Sequence, residues 1–221
     1  MIIDTHIHEN KYSFDSFIDF KECIYKAKTI GLDGLCITNH DNNDMINDIG
    51  NSTLIDNTLI IVGAEILTFE GDILVFGVRD IPKHKVSAKE LLTYVNEKGG
   101  AAVAAHPFRN NNRGIGNNMK ELSHLLVGVE SFNGSTLPNH NLQSYKLSSE
   151  LNLPSLGASD AHIIEKVGTF ATKFNHKIRD HRDFIEALKS GNFNPVVKEE
   201  NMFKNIEYYY EKHINTLSDC N

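Results

Sequence analysis

Metal-binding side chains recur along this chain at the ends of short apolar runs. The first run, Ile2-Ile3, leads into Asp4-Thr5-His6-Ile7-His8. On a strand His6 and His8 project to the same side, and two neutral imidazoles so placed can hold one transition-metal ion. Later runs end at His40-Asp41, at Glu65, at His106, at Glu130 and at Asp160 with His162, while Asp72 stands just before another. Imidazole and carboxylate donors without thiolates favour Zn, Mn or Fe(II), and so many of them would satisfy two or three divalent ions. Clustered ions suit phosphoester hydrolysis: they generate hydroxide near neutral pH, orient the ester and neutralise charge on the attacking and leaving oxygens. Arg109, in His106-Pro107-Phe108-Arg109, adds a planar fork of donors suited to a phosphate oxygen, which makes it the candidate substrate clamp, ahead of Arg113 in the adjacent loop.

The elements that must position these groups are legible in outline. Apolar runs at 2–3, 35–37, 59–64, 73–78, 101–105, 126–129 and 155–158 are continuous rather than alternating, as strands buried on both faces of a parallel sheet are. Helical spacing of Phe17, Phe20, Ile24 and Ala27 follows Ser16 as cap and stops at Gly31. A capping box of Ser87 and Glu90 precedes Leu91, Leu92 and Val95, and two more helices fit 140–151 and 182–189. Strand and helix in alternation imply crossovers, and about seven strands favour a barrel over a doubly wound sheet. In a parallel barrel the C-terminal strand ends share one face, so donors distant in sequence converge there. Segments 42–58 and 110–118, rich in Asn with Asp or Gly, read as long loops on that rim.

Composition sets the remaining bounds. The chain has 221 residues, 40% of them hydrophobic and 23% charged, as in an ordinary globular protein, and its net charge of −7 argues against nonspecific adhesion to nucleic acid or anionic membrane. Cys23, Cys36 and Cys220 lack metal or redox spacing, and with no membrane-length apolar stretch and no basic leader the expectation is a cytoplasmic protein. His84, His124, His140, His176, His181 and His213 have no strand-end partner and read as surface or satisfied core residues.

His6-Ile7-His8, Thr38-Asn39-His40-Asp41, Gly63-Ala64-Glu65, Ala105-His106-Pro107 and Ser159-Asp160-Ala161-His162, in that order, resemble the successive motifs of the PHP (polymerase and histidinol phosphatase) superfamily, in particular its short stand-alone phosphoesterases. The resemblance implies an α/β fold, a distorted (β/α)7 barrel with a metal site at the C-terminal ends of its strands. It divides the chain into a barrel domain with its PHP-associated segment over 1–198 and a C-terminal helix and tail over 199–221. It further implies that His6, His8, Glu65 and Asp160 hold a first ion, that Glu65 bridges to a second ion also bound by His106, and that Asp15, His40 and His162 hold a third. Two positions depart from the family pattern. Asp72 follows Gly71 where many relatives have a histidine ligand of the second ion, and as an aspartate it is still expected to bind Mn or Fe there; Asn39 stands where Asp is usual. Asp4, Asn39 and Glu130 are then expected to orient ligands by hydrogen bonds. The implied activity is hydrolysis of a phosphomonoester or nucleotide phosphate by a metal-bridging hydroxide. The substrate is expected to be a small phosphorylated compound, such as a nucleotide or short oligonucleotide, with no stable binding of duplex nucleic acid and no membrane association. The alternatives are an amidohydrolase-like C–N hydrolase, which also begins with HxH but often bridges its metals with a modified lysine, and a noncatalytic metal-binding module.

Overall fold

The structure, a computed structural model, describes residues 1–214. Along the chain lie β1 (Ile2–Ile7), α1 (Phe20–Ile30), β2 (Gly34–Ile37), α2 (Ile46–Ile49), β3 (Ser52–Ile55), β4 (Thr58–Leu67), β5 (Asp72–Phe76), α3 (Ala88–Glu97) and β6 (Ala101–Ala104). There follow α4 (Met119–Leu122), β7 (Gly128–Asn133), α5 (Pro138–Glu150), β8 (Ser155–Ala158), β9 (Phe170–Phe174), α6 (His181–Ser190), β10 (Phe193–Glu199), β11 (Met202–Asn205) and α7 (Ile206–His213). The sheet runs β11-β10-β9-β1-β2-β4-β5-β6-β7-β8, with β3 paired to β4.

The seven expected strands are β1, β2, β4, β5, β6, β7 and β8, and they curl into a distorted barrel. Its two ends meet where Ile7 bridges Ala161 in parallel, where the His8 N–H donates to the Ala161 carbonyl (3.1 Å), and where the Asp160 N–H donates to the His6 carbonyl (2.9 Å). These bonds lie at the residues that carry the motifs, so closing the barrel also brings the first and last motifs together. Every residue of β2, β5 and β6 is buried, as strands covered on both faces must be.

The structure corrects the expectation of an all-parallel sheet. β5 is antiparallel to both β4 and β6, so the start of β5, rather than its end, reaches the face where the other strands terminate. This reversal places Asp72, the first residue of β5, beside His106 after β6. An apolar run reads alike in either direction, which is why the pattern did not reveal it. The 42–58 segment is also more structured than a loop: β3 forms a hairpin with β4. Beyond Gly168, β9, β10 and β11 extend the sheet antiparallel from β1; α7 follows β11, and Cys220 with the tail from 215 onward lies outside the described residues.

Helix α1 begins at Phe20 and not after Ser16. Asp19 caps it, accepting from the N–H groups of Lys21 and Glu22, and Gly31 ends it at φ +80°. Ser16 instead donates to the His8 carbonyl (2.8 Å) and accepts from the Ile18 N–H, tying the 9–18 loop to the end of β1 and leaving Phe17 81% exposed. Ser87 caps α3 as expected, and the Glu70 carboxylate takes the Ala88 N–H as well. No helix among the described residues is long and apolar enough to cross a membrane.

Candidate metal centre

Four donors from the ends of β1 and β4 and the loop after β8 converge at the barrel mouth. His6 Nε2 lies 2.9 Å from His8 Nε2; Glu65 Oε2 lies 3.5 Å from each; Asp160 Oδ1 lies 3.5 Å from His6 Nε2 and 3.3 Å from His8 Nε2. Ligands at 2.0–2.1 Å around a tetrahedral ion stand about 3.3–3.4 Å apart, so these separations are near the edges of such a polyhedron. All four residues are buried, yet Glu65 Oε2 and Asp160 Oδ1 accept no well-formed hydrogen bond. Buried carboxylate oxygens are almost always paired. Here their lone pairs converge on a shared point with the imidazole nitrogens, the arrangement that an ion would satisfy.

A second cluster adjoins the first. Asp15 Oδ2 lies 3.1 Å from His40 Nε2 and 3.4 Å from His162 Nε2, and those two nitrogens are 3.4 Å apart. This is one triangular face of the same polyhedron, with the remaining direction open to a water or a substrate oxygen. Glu65 Oε2 sits 2.7 Å from His40 Nδ1, so the Glu65 carboxylate links the two clusters. On its other side Glu65 Oε1 meets His106 Nε2 at 2.8 Å.

The electrostatics fit ligands without their ions. Burial opposes a charge on Glu65 and Asp160, but His6 with the other imidazoles, and for Asp160 also Arg109, outweighs it and holds both carboxyls well below their ordinary range. Burial likewise disfavours a charged His6, yet Asp160, Glu130 and Glu65 raise it well above the ordinary histidine value. His8, 2.9 Å away, is pushed down to about 4 by burial first. His106 and Asp160 carry positive φ angles of 27° and 50°, conformations that cost a non-glycine residue about 1–3 kcal/mol and gather at functional sites.

Hydrogen bonds behind the ligands fix their tautomers. Glu130 Oε1 lies 2.8 Å from His6 Nδ1, while its Oε2 accepts from the His106 N–H (2.8 Å) and from Asn133 Nδ2 (3.0 Å). That pairing keeps Nδ1–H on the Glu130 side and turns the Nε2 lone pair toward the cluster. Glu130→Gln is expected to weaken metal affinity about 10–100-fold with little change in the fold, measured by metal titration against a competing chelator. For His8 the partner is Ser13: its hydroxyl donates to Asn39 Oδ1 (3.0 Å) and so presents a lone pair to His8 Nδ1 at 3.4 Å.

Asn39 is explained by Glu9. The Asn39 amide donates to Glu9 Oε1 (3.1 Å), and its Oδ1 accepts from the Glu9 N–H (3.0 Å). With a buried carboxylate already at Glu9, an aspartate at 39 would set two like charges together, so the amide is the compatible residue. Sequence reasoning missed Glu9, although it directly follows His8, as well as Ser13 and Asn133. Asp4 stands behind the cluster, accepting from the His6 N–H (3.5 Å). It accepts from the N–H groups of Ser159 and Gly168 (2.9 Å each), pinning the segment before Asp160, and burial raises its carboxyl to about 6.

Both arginines are engaged with acidic donors of the site. Arg109 turns Nη2 onto Asp160 and onto Asn133 Oδ1 (2.7 Å), and Nε onto Thr136 (3.1 Å). It holds a candidate ligand, because the buried Asp160 carboxylate outcompetes solvent for the guanidinium; it does not stand free for a phosphate. Arg113, ranked second from sequence, forks onto Asp72 and lies over the Glu65 side of the mouth. No surveyed histidine outside the motifs enters a donor cluster among the described residues.

Comparison with known proteins agrees with this fold. The family profile described as PHP-associated matches residues 138–193. An uncharacterized protein of Methanocaldococcus jannaschii is 32% identical over 146 residues, covering 60% of this chain and 82% of that protein. Among solved structures, PsfC from Pseudomonas syringae superposes with a TM-score of 0.72 at 19% identity, over 100% of this chain and 98% of its own. A two-domain protein from Bacteroides vulgatus, containing a predicted PHP-like metal-dependent phosphoesterase, gives 0.67 at 18% identity over 96% of this chain and 69% of its own. The lesion-specific endonuclease Q of Pyrococcus furiosus gives 0.61 at 17% identity over 86% and 56%. With the PHP-associated profile matched over 138–193 and the ordered motifs converging at one barrel mouth, the chain belongs to the PHP superfamily.

Proposed function

We propose that this protein is a metal-dependent phosphoesterase that hydrolyses the phosphomonoester of a nucleotide or the end of a short oligonucleotide. The observation that carries the reading is the pair of adjoining donor clusters joined by Glu65, with buried carboxylate oxygens and imidazole nitrogens aimed at common points. When bound, the ions supply a hydroxide nucleophile near neutral pH and neutralise charge on the phosphoryl oxygens. The chain's own residues do the rest. His6, His8, Glu65 and Asp160 would hold one ion and Asp15, His40 and His162 another; Glu130 and Ser13 keep the imidazole lone pairs aimed inward, and Arg109 holds Asp160 in place. A carboxylate rather than a lysine joins the clusters, which favours phosphoester over C–N chemistry. The amide at Asn39 is balanced by Glu9, so it is no mark of a lost activity.

The rim supports a substrate with a base. Phe14 and Phe17, on either side of Asp15, are 96% and 81% exposed, and Phe17 is held there by its N–H on the His162 carbonyl. Exposed aromatic faces beside a phosphate-binding cleft are stacking platforms for bases. The test is phosphate release from nucleoside mono- and bisphosphates, short single strands and sugar phosphates, beside amides and lactones, by chelated protein before and after Mn is restored. Hydrolysis of base-containing phosphoesters only after Mn returns is expected. Full activity after exhaustive chelation, or turnover confined to amides or lactones, contradicts the reading.

A further inference from the structure

A third group of donors lies on the far side of Glu65. Glu65, His106 and Asp72 each offer an atom within reach of one ion, with Asp72 Oδ2 3.8 Å from His106 Nε2. Here a guanidinium takes both oxygens of a donor, whereas at the first cluster Arg109 meets Asp160 Oδ2 and leaves Oδ1 to the imidazoles. Arg113 takes both oxygens of Asp72, Nε–H on Oδ2 at 2.6 Å and Nη2–H on Oδ1 at 3.1 Å, and the Asp72 N–H donates to the Arg113 carbonyl at 2.7 Å. A two-point fork closed by a backbone bond is a fixed geometry and not a chance surface pairing. The same Nη2 lies 3.3 Å from His40 Nδ1 and 3.9 Å from Glu65 Oε2, so the guanidinium spans the mouth between the Asp72 and Glu65 carboxylates.

The backbone is built to deliver it. Gly71 adopts φ +148°, and a Cβ there would stand 2.4 Å from the Ile115 nitrogen; at Gly114 a Cβ would stand 2.2 Å from the Pro107 carbonyl oxygen. Only with glycine at both positions does the loop carrying Arg113 seat itself against the turn between β4 and β5. Two buried carboxylates side by side are relieved by a shared proton or by a positive charge between them, and a guanidinium or a divalent ion can supply that charge. Both at once would set like charges against each other on the same Asp72 oxygens.

Resting on the metal centre proposed above, we propose that Arg113 stands where an ion would otherwise sit: the chain holds two ions, and the third cationic corner is a guanidinium. Arg113, 31% exposed, then presents a fixed planar charge at the edge of the cleft, suited to a nonbridging phosphate oxygen, the role that sequence reasoning gave to Arg109. The test is a metal count, by native mass spectrometry and elemental analysis, on full-length protein loaded with Mn or Zn and desalted. Two ions per chain are expected for the wild type and for Asp72→Asn, because Asp72 is not a ligand, and three for Arg113→Met, which frees the Asp72 carboxylate. Three ions in the wild type, a count that falls by one in Asp72→Asn, or a count of two in a folded Arg113→Met overturns the inference. If Arg113→Met fails to fold, the first two counts still decide. A wild-type count of none or one removes the metal centre itself, a different failure from that of Arg113.

Discussion

Glu65→Gln is expected to abolish phosphoester hydrolysis, lowering kcat/KM by on the order of 10³-fold or more, above the 10–100-fold loss typical of a residue that only orients a ligand. Glu65 joins the clusters: Oε2 lies within 3.5 Å of His6 and His8 and 2.7 Å from His40, while Oε1 meets His106. An amide has the same shape but no charge, and one of its two ends is an N–H group that cannot ligate. The ion between His6 and His8 should therefore be lost, which elemental analysis would read directly. Loss of activity through misfolding is separable. Without the Glu65 charge the imidazoles around it give up their extra protons, so chelated Glu65→Gln is expected to melt within about 5 °C of the chelated wild type. A variant that keeps wild-type kcat/KM and its full metal complement would remove Glu65 from the centre.

Metal removal is expected to have the largest effect on stability. Each ion that binds only the folded chain at a free concentration of 100 Kd adds about 2.7 kcal/mol, so two ions add about 5 kcal/mol. For a chain of this length 1 kcal/mol moves Tm by about 2–4 °C, and saturating Mn should raise Tm roughly 10–20 °C above the chelated protein. The pH dependence has a definite sign. Neighbouring carboxylates raise His6 and His40 above their ordinary value, so in the chelated protein both contribute stability below that value and lose it as pH rises through their raised folded values. An ion must displace those protons. The Tm gap between loaded and chelated protein should thus narrow as pH falls below about 6 and widen as it rises toward 8, read by calorimetry at matched ionic strength. A gap independent of pH would show that these imidazoles do not ligate.

Much of this site is legible in the sequence because its donors stand at the ends of strands buried on both faces. His6, His8, His40, Glu65, His106 and Asp160 each follow an uninterrupted apolar run, and the barrel must bring such ends together. What stayed hidden depends on contacts between distant segments. The reversed direction of β5 has no signature in its composition, although it alone explains how Asp72, ahead of its strand, joins donors that follow theirs. The Glu9–Asn39 pair, 30 residues apart, turns an apparent defect into a compensated substitution. Which arginine faces the cleft was set by the path of the 107–116 loop, itself set by Gly71 and Gly114. β9 and β10 mix apolar with polar residues and include Pro195, so the pattern did not mark them as strands even though they flank β1.

The most direct measurement is a single titration of chelated protein with Mn in which bound metal and phosphate release from a nucleotide are recorded together. The account predicts no release at zero occupancy, release that rises as ions fill the centre, and a plateau at two per chain. Release at full rate before any ion is bound, or a filled centre that hydrolyses no phosphoester in the panel, would contradict it.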